Sequence, residues 1–177
     1  MKLKLASVLF GLILILAACG GQEKASTENH LDSLQKNYPE VKTEVDKLPE
    51  DFRSEINVPN MEEIPLEVSD VEAVAETELE PYGMDFYYGE DDKRLNVMIK
   101  DQKGIDTSIV ETNEELDQDV NGTYTEAEDG HLLTITWLSN NKNALYKVTG
   151  FTPSGEESPF TKEDMVEIAN SIIAQRN

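Results

Sequence analysis

The chain has 177 residues, with 15 Lys and Arg against 36 Asp and Glu, and a net charge of −21 at pH 7. This acidity argues against binding nucleic acid, which needs a basic surface to displace counterions from phosphate, and against a domain that lies flat on anionic lipid. One cysteine excludes a disulfide within the chain, and the length fits one ordinary domain with a tether.

Residues 1–18 have the layout of a secretory signal. They begin with Lys2 and Lys4 and continue with an apolar run from Leu5 to Leu16 and two alanines. The apolar run is shorter than the roughly 20 residues that a permanent membrane-spanning helix needs. We therefore expect a cleaved signal peptide over residues 1–18.

The segment Leu16-Ala17-Ala18-Cys19 resembles the lipobox of bacterial lipoproteins. The resemblance implies that the Cys19 sulfur receives a diacylglyceryl group and that the chain is cut just before it. Without Lys2 and Lys4, 13 of the 15 bases remain against 36 acids, a net charge of −23. Two acyl chains anchor a domain lastingly, so we expect a lipoprotein on the extracytoplasmic face of the cell membrane. A plain secretory signal is the alternative.

Two segments are expected between the anchor and the globular domain. Residues 19–30 are small and polar, which predicts a flexible tether. Residues 31–50 carry apolar side chains at a spacing of three or four, which predicts a helical segment that Pro39 divides into two short helices. The segment either binds a partner or packs on the domain as a stalk. Its apolar residues are Leu31, Leu34, Tyr38, Val41, Val45 and Leu48.

Residues 51–177 are expected to form the globular domain, built around β-hairpins. Residues 71–80 do not decide between strand and helix. Beyond them, apolar residues alternate at period two on both sides of a turn at residues 89–92, which predicts a first hairpin. The alternating residues are Tyr82, Met84, Phe86 and Tyr88, then Leu95, Val97 and Ile99.

Two further hairpins are predicted downstream. Asn121-Gly122 best tolerates the positive φ angles of a tight two-residue turn, so we expect the second turn there. The third turn is expected at Ser139–Lys142. Aromatic residues at strand spacing could line a ligand groove, but they are more typical of a core. The strands of the third hairpin carry Leu133, Ile135 and Trp137, then Ala144, Tyr146 and Val148.

The C-terminal segment predicts a helix. Thr161 and Asp164 have the spacing of a capping box, and Phe160 and Met165 flank it as a hydrophobic staple would. An apolar stripe suited to packing on a sheet follows. The expected fold class is α+β, a mainly antiparallel sheet packed by this C-terminal helix. The stripe consists of Met165, Ile168, Ala169, Ile172 and Ile173.

One segment matches the spacing of a calcium-binding loop, D-x-D-x-N-G followed by five residues and an acid. Strand-forming residues follow the glycine, where a calcium loop would lead toward a helix, and a hairpin turn also explains the Asn-Gly pair. Chance matches are common in so acidic a chain. The weak calcium candidates are therefore Asp117, Asp119, Asn121 and Glu128.

No catalytic or cofactor motif is present in the sequence. The two histidines, His30 and His131, lack the spacing of zinc ligands or of a catalytic base. There is no nucleophile elbow, no P-loop and no dinucleotide-binding glycine pattern. We expect a non-enzymatic protein without a cofactor.

Residues 56–174 resemble a family of extracytoplasmic domains of unknown function found at the C-termini of Gram-positive lipoproteins and sporulation-associated membrane proteins. The resemblance implies a small α+β domain and brings no catalytic residues with it. It depends on Tyr82–Ile99, Val120-Asn121-Gly122, the LLTITW segment with Trp137, and Ile168–Ile172.

Two functions follow as hypotheses. The first is a membrane-anchored protein-interaction or sensing module that presents its sheet or acidic surface to an envelope protein. The alternative is a ligand-binding lipoprotein, which holds a small apolar molecule between sheet and C-terminal helix, or a cation such as calcium. Dependence of partner binding on salt and surface charge would favour the first, and a ligand-induced rise in melting temperature the second.

Overall fold

The computed structural model describes residues 29–89, 92–102 and 111–175, which form a seven-stranded antiparallel sheet with helices packed on one face. The expected α+β class is confirmed. The helices are α1 (His30–Asn37), α2 (Pro39–Val45), α3 (Glu50–Arg53) and α4 (Lys162–Ile173). The strands are β1 (Val71–Glu76), β2 (Gly83–Gly89), β3 (Arg94–Asp101), β4 (Glu114–Glu115), β5 (Asn121–Glu126), β6 (Leu132–Leu138) and β7 (Ala144–Phe151).

The sheet joins two meanders in the order β1-β2-β3-β7-β6-β5-β4. Pairing of β3 with β7 connects them, so the last strand lies in the middle of the sheet. The register places several loops at one end, which we call the turn end. The β1–β2 loop, the β4–β5 turn and the β6–β7 turn all project there. One row of paired residues marks this end, namely Glu76, Gly83, Lys100, Leu145 and Leu138.

The first and third predicted hairpins are confirmed. Strands β2 and β3 pair directly, and so do β6 and β7 around the turn at Ser139–Lys142. The alternating apolar side chains within these strands face the helices and are almost completely buried, with Tyr88 and Ile135 both at 0 % exposure. Tyr82, predicted to begin this pattern, lies before β2 and is only half-buried. Residues 71–80, for which the sequence did not decide between strand and helix, begin with strand β1.

The predicted turn at Asn121-Gly122 is wrong, because both residues belong to strand β5. The β4–β5 turn lies earlier, at Asp117–Val120, where the Val120 N–H donates to the Asp117 carbonyl at 3.3 Å. The glycine serves packing instead. A Cβ at Gly122 would lie 3.0 Å from Leu116 Cδ1, so the missing side chain lets Leu116 cover the strand.

The N-terminal helices belong to the same hydrophobic core as the sheet. Helix α1 ends at Asn37 and α2 begins at Pro39, as the proline predicted. The apolar face of this segment is buried in the domain rather than exposed for a partner. Its buried residues are Leu31, Leu34, Val41, Val45 and Leu48.

Helix α4 begins with the predicted capping box. The Thr161 hydroxyl accepts from the Asp164 N–H at 3.2 Å, and the Asp164 carboxylate accepts from the Thr161 N–H at 2.8 Å. Phe160 is buried just before the helix and lies on the backbone of β7. A Cβ at Gly150 would lie only 2.8 Å from the Phe160 ring, so this position requires glycine.

Strand β1 forms one edge of the sheet, and carboxylates cap two of its backbone donors. The Ala75 N–H donates to Glu44 Oε2 at 3.2 Å. The Val71 N–H donates to Asp70 Oδ1 at 2.9 Å. Helix α2 thereby contributes a side chain to the outer edge of β1.

The opposite side of the sheet, which we call the open face, carries the strand residues that point away from the helices. Most of them are half-buried or exposed, and they mix apolar, hydroxyl and charged side chains. None of the helices within the described ranges is long and apolar enough to span a membrane. In the centre of the open face lie Tyr87, Asn96, Met98, Leu145, Lys147, Thr149, Thr136 and Leu138.

Candidate functional site

A pocket of about 500 Å³ opens where the open face meets the turn end. Strands β6 and β7 supply its floor, and the β4–β5 and β6–β7 turns supply its rim. Its position differs from the expected ligand cavity between sheet and C-terminal helix, because it lies on the other side of the sheet. We call it the turn pocket, defined by Gln118, Asp119, Leu138, Asn140, Lys142 and Leu145.

The backbone of the rim is strained. In the described part of the chain, three non-glycine residues have positive φ, namely Gln118 at 58°, Asp119 at 59° and Lys142 at 59°. All three line the turn pocket. The left-handed conformation costs an ordinary residue about 1–2 kcal/mol, and such strain is concentrated at functional sites. This coincidence singles out the pocket as the candidate site.

Side chains of helix α4 and of the neighbouring turn hold the β4–β5 turn in place. Asn170 Oδ1 accepts from the Asp117 N–H at 2.9 Å, and the Gln118 amide donates to the Ile173 carbonyl at 3.4 Å. Asn140 Nδ2 donates to Gln118 Oε1 at 3.2 Å, which connects the two turns across the pocket. The rim is therefore fixed before any ligand arrives.

The β6–β7 turn is fixed independently. The Ser139 hydroxyl accepts from the Ala144 N–H at 3.0 Å and donates to Asn141 Oδ1 at 2.7 Å. Asn141 Nδ2 in turn donates to the Glu55 carboxylate at 2.9 Å. The Lys142 N–H closes the turn by donating to the Ser139 carbonyl at 2.7 Å. The Lys142 backbone is thus constrained, while its side chain is exposed.

Unpaired cations surround this part of the sheet. The described residues include ten Lys and Arg, of which six form ion pairs with carboxylates. The other four are Lys36, Arg94, Lys142 and Lys147. Lys142 lies on the pocket rim, Lys147 projects from the neighbouring stretch of β7, and Arg94 lies further along the open face. Three cations that pair with no carboxylate of the described residues therefore lie on or beside the open face of a strongly acidic protein.

The far end of the open face is aromatic. The Arg94 guanidinium lies 5.5 Å from the centre of the Tyr87 ring and 5.8 Å from that of Phe151. His131 meets the Phe151 ring edge-on, with centroids 6.5 Å apart. Cation–π contact holds the guanidinium against the sheet without neutralising its charge.

One carboxyl of the open face has a shifted pKa. Partial burial raises the pKa of Asp85 above its ordinary value, and a hydrogen bond from Asn96 Nδ2 at 3.2 Å opposes this rise. The nearby Glu76 carboxylate adds to the rise, and Lys100 opposes it. Asp85 lies two strands away from Lys147 and outside the turn pocket.

The structure separates the calcium candidates. Asp117 and Asp119 lie in the β4–β5 turn and Asn121 begins β5, but Glu128 follows the other end of that strand. Six strand residues span about 20 Å, too far for one ion. The described ranges contain no group of three or more His, Cys, Asp or Glu arranged to hold a metal.

The predicted lipid site lies outside the described residues, namely Cys19 with Leu16, Ala17 and Ala18. His30, placed in the expected tether, begins helix α1 and lines a smaller polar pocket of about 370 Å³ with Asn60 and Glu62. His131 lies in the β5–β6 connection beside Asp129, whose pKa this contact lowers.

Sequence reasoning did not single out Gln118, Asn140 or Lys142 as site residues. Gln118 and Lys142 adopt positive φ angles without the glycine or asparagine that would signal them. The two turns are also separated by two whole strands along the chain. The turn at Ser139–Lys142 was predicted, but its role in a pocket depends on the fold.

No protein-family profile matches the chain, and no curated protein or solved structure is significantly similar to it. The resemblance to extracytoplasmic lipoprotein domains therefore stays a prediction. Function is inferred below from the turn pocket and the open face.

Proposed function

We propose that this protein is a lipid-anchored, extracytoplasmic interaction module that binds a segment of a protein partner in the turn pocket and catalyses no reaction. The observation that carries the proposal is the combination of three chemistries in one pocket. Leu138 and Leu145 supply an apolar floor, Gln118 and Asn140 supply amides, and Lys142 supplies a cation that pairs with no carboxylate of the described residues.

This combination suits a peptide segment. Side-chain amides both donate and accept hydrogen bonds, so Gln118 and Asn140 can pair with peptide N–H and carbonyl groups. The floor can take one apolar side chain, and Lys142 can pair with a carboxylate beside it. Because Asp119 lies on the β4–β5 turn and Lys142 on the β6–β7 turn, the expected ligand is an apolar residue with acids beside it on the Lys142 side.

The fixed rim supports binding. Because hydrogen bonds already hold both turns, a partner need not order them, and the entropic cost of association falls. The anchor at Cys19 would keep the domain near envelope partners.

Photo-crosslinking in intact cells tests the proposal. The photoreactive residue p-benzoylphenylalanine would replace Asn121, an exposed residue that lines the pocket and is not one of its proposed binding groups, and in a control Glu40, which is exposed on helix α2. We expect a defined adduct from position 121 and none from position 40. Lys142→Glu should reduce that adduct about tenfold, whereas Lys36→Glu, with the same charge change, should not. Equal labelling from both positions would refute a pocket-specific partner.

A small polar molecule is a second candidate ligand, favoured by the pocket volume of about 500 Å³, which is typical of small-molecule sites. A ligand that binds only the folded state raises the melting temperature. Thermal unfolding with a panel of sugars, amino acids and calcium would show this rise. An unchanged midpoint across the panel would leave the peptide ligand as the better proposal.

A further inference from the structure

The β1–β2 loop has the composition that the turn pocket fits. It spans residues 77–82, and at its tip Leu79 is 83 % exposed, more than the other two exposed large apolar residues of the described chain, Val74 and Leu132. Glu78 and Glu80 flank the leucine and are also exposed. No ion pair or hydrogen bond in the described structure neutralises either side chain.

We propose that the turn pocket of one copy of this chain binds the β1–β2 loop of a second copy. This inference rests on the proposed function and names its partner. Leu79 would enter the apolar floor formed by Leu138 and Leu145. The flanking glutamates would then lie beside Lys142 and Lys147, two of the four cations without a carboxylate partner in the described ranges.

The position of the loop favours a second copy over its own pocket. At 83 % exposure, Leu79 does not occupy the pocket of its own chain. The loop and the β6–β7 turn project from the same end of the sheet, with β3 between their hairpins. Three strand spacings of about 4.8 Å put them about 14 Å apart.

This arrangement allows a closed pair. A two-fold axis between loop and pocket would bring each loop of one copy to the pocket of the other. Both contacts would then form together, and the pair would have no free binding element left to extend it. The expected complex is therefore a symmetric dimer.

Net charge sets the conditions under which the dimer forms. Each chain carries a net charge of −21, so two copies repel each other at long range. At physiological ionic strength the Debye length is about 8 Å, which screens this repulsion more than the adjacent Glu and Lys pairs. The measurement below is therefore made at physiological ionic strength.

The test uses the full-length chain in cells as two differently tagged copies. One copy carries p-benzoylphenylalanine in place of Asn121, and the other is unlabelled. We expect a crosslinked species with the mass of two chains, and mass spectrometry should locate the crosslink in residues 77–82 of the unlabelled copy. Leu79→Ser in that copy should lower the yield about tenfold, because the apolar contact is lost.

Charge exchange separates specific pairing from a general charge effect. Glu78→Lys with Glu80→Lys in one copy should lower the yield, and so should Lys142→Glu in the other. Combining the two altered copies should restore it. Lys36→Glu changes net charge by the same amount as Lys142→Glu and should leave the yield unchanged.

The possible outcomes are distinguishable. An adduct with a different protein and none with a second copy would overturn this inference while supporting the proposed function. No adduct from position 121 at all would overturn both. A two-chain adduct whose yield does not change with Leu79→Ser and is not restored by charge exchange would also refute the loop-in-pocket contact. Equal melting temperatures of all variants would show that each one is folded.

Discussion

Trp137 of β6 is stacked on Tyr146 of β7, with ring centroids 5.1 Å apart and planes inclined by 9°. The Tyr146 hydroxyl reaches beyond the stack, donating to the Glu55 carbonyl and accepting from the Asn57 N–H at 3.2 Å. The Tyr146 hydroxyl thereby fixes residues 55–57, which follow helix α3, to the sheet.

Replacing Tyr146 with phenylalanine tests this connection. Tyr146→Phe keeps the ring stack but leaves the Asn57 N–H and the Glu55 carbonyl without the hydroxyl. We expect a loss of about 1–2 kcal/mol in the free energy of unfolding. Urea denaturation followed by the fluorescence of Trp137, the single tryptophan, would measure it. Unchanged stability would show that the hydroxyl contributes nothing to the fold.

The same substitution at Tyr88 should act in the opposite direction. The Tyr88 hydroxyl is buried with no hydrogen-bond partner among the described residues, and burial raises its pKa. Tyr88→Phe removes this unsatisfied group, so we expect a gain of about 1 kcal/mol. The two Tyr→Phe variants are matched controls for each other. Destabilisation of Tyr88→Phe would indicate that the hydroxyl has a partner in solution, such as a bound water.

Gly150→Ala should disturb the packing of Phe160, the residue before the N-cap of helix α4, on strand β7. The new methyl group would lie 2.8 Å from the Phe160 ring, and overpacking of this kind costs about 1–3 kcal/mol. Phe160→Leu in the same chain should recover part of the loss, because the smaller side chain makes room. Chemical denaturation of the two single variants and the double variant measures this coupling. Strictly additive losses would contradict a direct clash.

The strained β4–β5 turn predicts a stabilising substitution. Asp119→Gly places a residue without a Cβ at a φ of 59°, so the melting temperature should rise, by an amount equivalent to about 1 kcal/mol. Gly122→Ala, three residues later, should lower it instead, because of the contact with Leu116. If Asp119→Gly is destabilising, the carboxylate contributes more to the turn than its backbone strain costs.

The raised pKa of Asp85 predicts a pH-dependent effect. A folded-state pKa above the unfolded value means that the native state binds the proton more tightly, so this group lowers stability as pH rises through that pKa. Asp85→Asn should therefore raise the melting temperature at pH 7. The gain should shrink as the pH falls below the raised pKa, where the carboxyl is neutral too. Glu72→Gln, an equal charge change on exposed β1, is the control, and identical pH profiles would contradict the prediction.

Much of the fold follows from local patterns in the sequence. Period-two alternation predicted the β2–β3 and β6–β7 hairpins, and the Thr161 capping box predicted helix α4, because these signals involve neighbouring residues. The order of the sheet was not predictable in the same way. The pairing of β3 with β7 joins residues about 50 positions apart, and no local pattern specifies such a partner.

The second turn shows how packing overrides turn propensity. Asn121-Gly122 has the stronger turn signal, yet the chain turns at Gln118 and Asp119. Leu116 occupies the space that a side chain at position 122 would need, and Asn170 fixes the backbone of the actual turn. The candidate site arises from this tertiary preference, so sequence patterns alone could not locate it.

The capped edge of β1 affects how copies of this chain interact at high local concentration. When many copies of a protein meet at high local concentration, bare strand edges pair with each other and promote aggregation. Glu44 and Asp70 occupy two of the donors that an incoming strand would use. A backbone that pairs through these two donors would have to displace the carboxylates first. The two capped donors thus reduce the tendency of copies of the chain to pair through this edge.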